Sequence, residues 1–424
     1  MSLSSLIYDL GIGSLRTLYR VASLFHGKAR LFHQGRREQQ ATLQHTFPLK
    51  DKTRPLIWIH CASLGEFEQG RPVIEGLKSR NPSVQILLTF FSPSGYEIQK
   101  NYAAADFVFY LPWDTRTNAR RFVEQIKPHL AIFVKYEFWF HYTSALHEHH
   151  IPVISISAIF RNDQIFFRWY GGLFRSMLRK FNHFFVQNDQ SLQLLGSIGI
   201  NAVTLAGDTR FDRVQQIIQR AEEIEMAKTF KDDQLLMVVG SAWQEDMEVL
   251  LPLMNSRMSQ MKFIVAPHEI KESFLLMIEK GFRGKAIRYS KATIEDIRDA
   301  RVLLIDNIGL LSRLYRYGDF AFVGGGFVQG LHNILEAASY GVPIFFGNQA
   351  YQKFREAVDL TQQGGAFPVR DSNDLNNKFN RLLENQDALR EAAKVTRRYV
   401  QKNLGATEKI VNFCEQIIMS WKGV

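Results

Sequence analysis

Twice along the chain, short apolar runs alternate with stretches long enough for a helix, and few folds accommodate that rhythm. From Pro55 the runs are Leu56–His60, Val84–Phe91, Phe107–Leu111, Leu130–Lys135, Val153–Ser157, Phe184–Gln187 and Val203–Ala206. Helical stretches lie between them, near Glu66–Lys78, Gly95–Asn101, Thr115–Ile126, Phe138–His147 and Gln190–Ser197. A polar helix over Val214–Phe230 and a linker at Lys231–Gln234 lead into a second series: Leu235–Val239, Phe263–Val265, Val302–Ile305, Phe320–Val323 and Val342–Phe346. Short apolar runs bounded by glycine suit strands covered on both faces, and intervening helices make the sheets parallel. The expected class is α/β, with two Rossmann-like, doubly wound domains facing across a cleft, and function in the loops at the strands' carboxyl ends. Residues 1–36 form an N-terminal amphipathic segment, 37–212 the first domain and 213–424 the second. A mainly helical tail, Leu375–Trp421, is expected to pack back across both.

Several residues at those carboxyl ends have chemistry to offer. The run Phe320–Val323 enters Gly324-Gly325-Gly326, followed by a helix expected over Leu331–Tyr340. Glycines let backbone approach a ligand closely, and a helix start presents free N–H groups to a phosphate. A tight connection with no ligand explains the same glycines equally well. Asn333 and Glu336, three apart, share a helix face, and a carboxylate there could accept from ribose hydroxyls. Ser241, after Leu235–Val239, stands at a second such strand end. Ser63-Leu64-Gly65-Glu66 reads as a capping box, which holds Glu66 in its charged form, ready to take a proton. Glu137 sits among Tyr136, Phe138 and Trp139, so it needs a basic partner or marks a site. Asp114 reads as the N-cap before Thr115. Arg210 can clamp a phosphate or pair with Asp208 or Asp212.

Charge narrows the partners. The net formal charge is +10, and seven basic against two acidic side chains put half of it in the first fifty residues. Apolar residues recur there at helical spacing (Leu3, Ile7, Leu10, Leu15, Leu18, Val21, Phe25), but Asp9, Arg16 and Arg20 interrupt any spanning run. That pattern points to a helix lying in an anionic membrane surface. The aromatics form no stacking platform for nucleic acid, so none is expected as a partner. With only Cys61 and Cys414, no disulfide framework is implied, and Cys61 reads as a buried strand-end thiol. His147, His149 and His150 lack the i, i+4 pairing of a helical metal site, and no cofactor is expected.

The segments ASLGEFEQ (62–69), KYEFW (135–139), GDTRFD (207–212), APHE (266–269) and FVGGGFVQGLHNILEAA (322–338), in that order behind the basic N-terminus, resemble one family. It is the 3-deoxy-D-manno-octulosonic acid (Kdo) transferases of lipopolysaccharide synthesis. The resemblance implies a GT-B fold, CMP-Kdo as donor, a lipid A precursor (lipid IVA) as acceptor, inversion at the anomeric carbon, no metal, and a place on the cytoplasmic face of the inner membrane. Carried over by position, Glu66 is the general base, and Glu137 and Arg210 stabilise the transition state. Pro267, His268, Ile308, Gly309, Leu310, Asn333, Ile334, Leu335 and Glu336 hold CMP, with the glycine loop and Ser241 beside them. Arg210 replaces a frequent lysine, Leu310 a more polar residue and Ala337 a common proline. Two other readings stay open: a related enzyme acting on a UDP-sugar, as transferase or epimerase, and a non-enzymatic basic peripheral membrane protein.

Overall fold

A computed structural model describes residues 3–46, 51–328 and 330–421. It divides into two units, one of Met1–Arg213 with Leu404–Val424, the other of Val214–Asn403.

The first unit is built on seven strands: β1 Leu56–Cys61, β2 Gln85–Phe90, β3 Phe107–Tyr110, β4 Leu130–Val134, β5 Val153–Ala158, β6 His183–Val186 and β7 Val203–Leu205. All pairings are parallel, in the order β3-β2-β1-β4-β5-β6-β7. Successive side chains leave a strand on opposite faces, so β1 feeds two cores. Trp58 joins Leu87, Phe133 and Tyr142 on one face, while Ile57 and Ile59 join Leu88, Ile132 and Ile154 on the other. The helix Ala406–Trp421 closes the second face with Ala406, Ile410, Val411, Cys414 and Ile418.

The second unit repeats the plan with β8 Leu235–Ala242, β9 Met261–Pro267, β10 Ala286–Arg288, β11 Val302–Leu304, β12 Phe320–Val323, β13 Ile344–Gly347 and β14 Ala366–Val369. They too are all parallel, ordered β10-β11-β9-β8-β12-β13-β14. The sequence reading missed two edge strands. β10 has three half-buried residues, and β14 carries Pro368, tolerated where a donor is not needed. The helix expected over Val214–Phe230 is two, Thr209–Arg220 and Glu225–Lys231. The Ile224 N–H donates to the Tyr317 hydroxyl at 2.6 Å, a buried bond that draws the chain off the helical path.

The N-terminal segment is a pair of helices, Leu3–Ala22 and Gly27–Thr46. Tyr8, Ile12, Leu15 and Tyr19, spaced four and three apart, dock with Phe32, Phe91, Trp113 and Trp139. A second stripe, Ile7, Leu10, Leu18 and Val21, stays exposed, as do Leu24 and Phe25 beyond it. No helix among the described residues is long and apolar enough to cross a membrane. Arg36, counted among the basic residues of the segment, is not at the surface. Its guanidinium donates to the carbonyls of Phe91 (2.6 Å), Leu111 (3.0 Å) and Phe32 (3.2 Å), and burial lowers its pKa to about 9.

Candidate active site

In an open parallel sheet, crevices form where the strand order reverses, outside the carboxyl ends. In the first unit that point lies between β1 and β4. Glu66 follows β1, in the first turn of the helix Leu64–Arg80, and Glu137 follows β4. The fold thus brings to one place two carboxylates that stand 71 positions apart in the chain.

The capping box is only half formed. The Ser63 side chain makes no cap bond, and Glu66 Oε2 instead accepts the Ala62 N–H at 2.5 Å. Nor is Glu66 simply held ionised by the helix start. Burial and the charge of Glu137 push its pKa up to about 7, and the N–H donors and Lys135 offset only part of that. Glu137 has found partners: Trp139 Nε1 donates to Oε2 at 2.7 Å, and His60 Nε2 lies 3.2 Å from the same oxygen. His60 is fully buried in β1, its Nδ1 bound to Thr89 Oγ1 at 2.9 Å. Sequence reasoning overlooked it. A titratable ring at the end of an otherwise apolar strand was the available signal. Beside it Cys61 is buried, its thiol pushed well above the usual range by burial and by nearby carboxylates. Lys135, between β4 and Glu137, has φ of +69°, an uncommon conformation for a side-chain-bearing residue.

Asp114 does not cap its own helix; Thr115 does, accepting the Asn118 N–H. Asp114 lies buried and bound to Tyr8, His141 and Tyr142. Arg210 opens the helix Thr209–Arg220 and grips Asp208 through Nε and a terminal nitrogen, at 2.9 and 2.8 Å. Asp208 also receives Gln69 of the Glu66 helix at 3.4 Å.

In the second unit the order reverses between β8 and β12. Ser241, with φ of +52°, is the next-to-last residue of β8, and Gly324–Gly326 follow β12. These glycines pack against the protein's own backbone. A Cβ on Gly324 would stand 2.2 Å from the Ser241 carbonyl oxygen, and one on Gly326 2.4 Å from that of Gly347. The chain then runs non-helical through Leu331–Asn333, and the helix begins only at Leu335, ending at Ser339. The His332 N–H donates to the Gly324 carbonyl and the Asn333 side chain accepts from Leu335, which delays the helical start. No helix N-terminus therefore stands at Leu331. Asn333 Nδ2 reaches Glu336 Oε1 at 3.1 Å, with Ile334 and Leu335 buried behind.

Pro267 ends β9, and His268 stacks between Trp243 and His332, at centroid distances of 4.4 and 4.3 Å. Trp243 Nε1 donates to His332 Nε2 at 3.0 Å, and burial followed by His268 pulls the His332 pKa down to about 4, so it accepts as a neutral ring. Trp243 and His332 were not foreseen, because the stack joins residues from three strand ends. Asp246 was missed too; it accepts the N–H groups of Trp243 and Gly325, both at 2.9 Å, and burial raises its pKa to about 6. A cavity of about 260 Å³ opens alongside, lined by Trp243, Gln244, Glu269, Lys271 and Phe274. Ile308 is 94 % exposed, Gly309 has φ of +96° with open space around it, and Leu310 follows on the same loop. Among the described residues no group of three or more His, Cys, Asp or Glu is placed to hold a metal ion.

Solved structures share this architecture. The UDP-GlcNAc 2-epimerase of Neisseria meningitidis superposes with a TM-score of 0.60 at 16 % identity, covering 85 % of this chain and 100 % of its own. MurG of Acinetobacter baumannii gives 0.54 at 14 %, covering 86 % and 99 %. Two all-parallel α/β units of this kind are the GT-B arrangement of glycosyltransferases. Residues 34–213 match the family model of the 3-deoxy-D-manno-octulosonic acid transferases (kdotransferases). The transferase of that name from Aquifex aeolicus (strain VF5) is 28 % identical over 354 residues, 81 % of this chain and 91 % of the relative. Its namesake from Haemophilus influenzae is 24 % identical over 82 % and 88 %. The match over residues 34–213 and these relatives support the Kdo transferase family, and with it a glycosyltransferase, for this chain.

Proposed function

We propose that the protein transfers Kdo from CMP-Kdo to a lipid A precursor, lipid IVA, with inversion, at the cytoplasmic face of the inner membrane. The observation that carries this reading is Glu66: a carboxylate at a switch point whose pKa of about 7 places it near the optimum for a general base at neutral pH. Glu66 takes the proton of the acceptor sugar hydroxyl as that oxygen attacks the anomeric carbon. The C–O bond to CMP breaks on the opposite face, and the leaving phosphate keeps the electron pair. Glu137, fixed by Trp139 and His60, keeps negative charge next to the oxocarbenium-like centre and keeps Glu66 basic. Arg210 offers positive charge to the departing CMP. In the second unit, Pro267 and the His268 stack suit a flat pyrimidine, Asn333 and Glu336 suit ribose hydroxyls, and Ile308–Leu310 form an exposed loop that can cover the nucleotide. The glycine loop supports this edge through its packing. The exposed stripe of the first helix, with Arg16, Arg20, Lys28 and Arg30, suits an anionic lipid surface.

Glu66→Gln tests the assignment: transfer to lipid IVA, read by weighing the product, should fall below detection while CMP-Kdo still protects the protein thermally. Retained turnover would remove Glu66 from the role. The epimerase-like architecture favours one rival, a UDP-sugar enzyme. Thermal protection by UDP and not by CMP would establish that rival instead.

A further inference from the structure

The polar groups that hold the first helix down converge on one place. Tyr8 donates through Oη to Asp114 Oδ2 at 2.5 Å, and Asp114 is fully buried. The same carboxylate accepts the backbone N–H groups of His141 at 3.1 Å and Tyr142 at 3.0 Å, both in the first turn of the helix Phe140–Glu148. First-turn donors have no partner within their own helix, and Trp139, in the cap position, supplies no side-chain bond. Asp114 therefore caps this helix from a distant loop, and the N-terminal helix completes the cap. The Phe140 N–H donates to Tyr8 Oη at 3.4 Å, and His141 Nε2 pairs with Asp9 at 2.5 Å.

Just before the capped turn stand Trp139 and one member of the acid pair, Glu137. Trp139 holds Glu137 through its indole N–H, and its ring stands 4.9 Å from Phe91, which also meets the rings of Phe32 and Trp113. A shift of the first turn of Phe140–Glu148 must carry Trp139 and Glu137 with it. We propose that Tyr8 and Asp114 are positioning residues for Glu137, so that the N-terminal helix is a part of the catalytic framework and not only a means of attachment. The proposal rests on the acid–base reading of Glu66 and Glu137 given above. Removing the Tyr8 hydroxyl takes one of three hydrogen-bond donors from a buried carboxylate. The cap then loosens, and a displaced Glu137 repels Glu66 less.

Tyr8→Phe deletes only the hydroxyl. Asp9→Asn loosens the neighbouring bond to His141. Ile12→Val trims one methylene from the docked face of the same helix and touches none of these bonds. The His60 ring, 3.2 Å from Glu137, reports the ionisation of the carboxylate pair by NMR without any substrate. Tyr8→Phe should lower the midpoint felt at His60 by about half a pH unit and reduce kcat about tenfold, with KM for the sugar nucleotide unchanged. Asp9→Asn should move the midpoint the same way, and Ile12→Val should leave it at the wild-type value. An unmoved midpoint in both Tyr8→Phe and Asp9→Asn overturns the proposal, as does an Ile12→Val protein that reproduces the shift. If the wild-type protein failed to transfer Kdo, the functional assignment would fall, and the His60 comparison would still decide the positioning role.

Discussion

Burial and the Glu137 charge raise Glu66 to about 7, where an ordinary glutamate titrates near 4.5. The native state therefore binds more protons than the unfolded chain between those values, and stability falls as pH rises through that window. A shift of that size is on the order of 3 kcal/mol, withheld from the fold above pH 7 and restored below pH 4.5. Glu66→Gln keeps an acceptor for the Ala62 N–H and removes the buried charge. It should raise the melting temperature by a few degrees at pH 8, with the gain vanishing near pH 4.5. Melting curves at the two pH values check this; an equal gain at both would show that charge is not the cause. The position of Glu66 was legible, since Ser63-x-x-Glu66 marks a helix start. The direction of its shift was not. That depends on Glu137 and on burial, which exist only once β1 and β4 are paired.

At the scale of elements, apolar runs announced most strands because both faces of a parallel sheet are covered. Failures came where a tertiary bond overrode local pattern: Tyr317 interrupting a helix at Ile224, and the Gly324 carbonyl holding His332 out of one. The triple glycine was legible as a turn, but its cause was not. Gly326 exists because Gly347 passes against it, whereas Gly309 has empty space at its Cβ position and needs glycine only for its positive φ. Gly326→Ala should therefore cost the second unit about 2–3 kcal/mol through overpacking, and Gly309→Ala about 1 kcal/mol through backbone strain. Urea denaturation of the two variants measures the gap. Equal costs would mean that the loop relaxes away from Gly347 and that close packing is not what demands the residue.

For the whole molecule, the sequence showed half of the net charge in the first fifty residues beside a helical apolar repeat. It did not show that the repeat is two stripes. Tyr8, Ile12, Leu15 and Tyr19 are spent on the protein's own core, as is the charge of Arg36. The exposed apolar surface that remains for the proposed lipid contact is smaller and mostly aliphatic: Ile7, Leu10, Leu18, Val21 and Leu24, with Phe25 beside them and Arg16, Arg20, Lys28 and Arg30 exposed around it. Insertion of Leu18 and Phe25, which are 63 % and 77 % exposed, should contribute about 1.5 kcal/mol each. A Leu18→Ser, Phe25→Ser protein should then partition about a hundredfold more weakly onto anionic vesicles. Salt should weaken the binding that remains, because arginines and lysines at a headgroup surface act within a Debye length. Sedimentation with vesicles of graded anionic content measures both terms. Tyr8→Phe, altered only on the docked stripe, should bind vesicles like the wild type, separating attachment from positioning within one helix. Unchanged partitioning in the double variant would rule out this stripe as the proposed lipid contact.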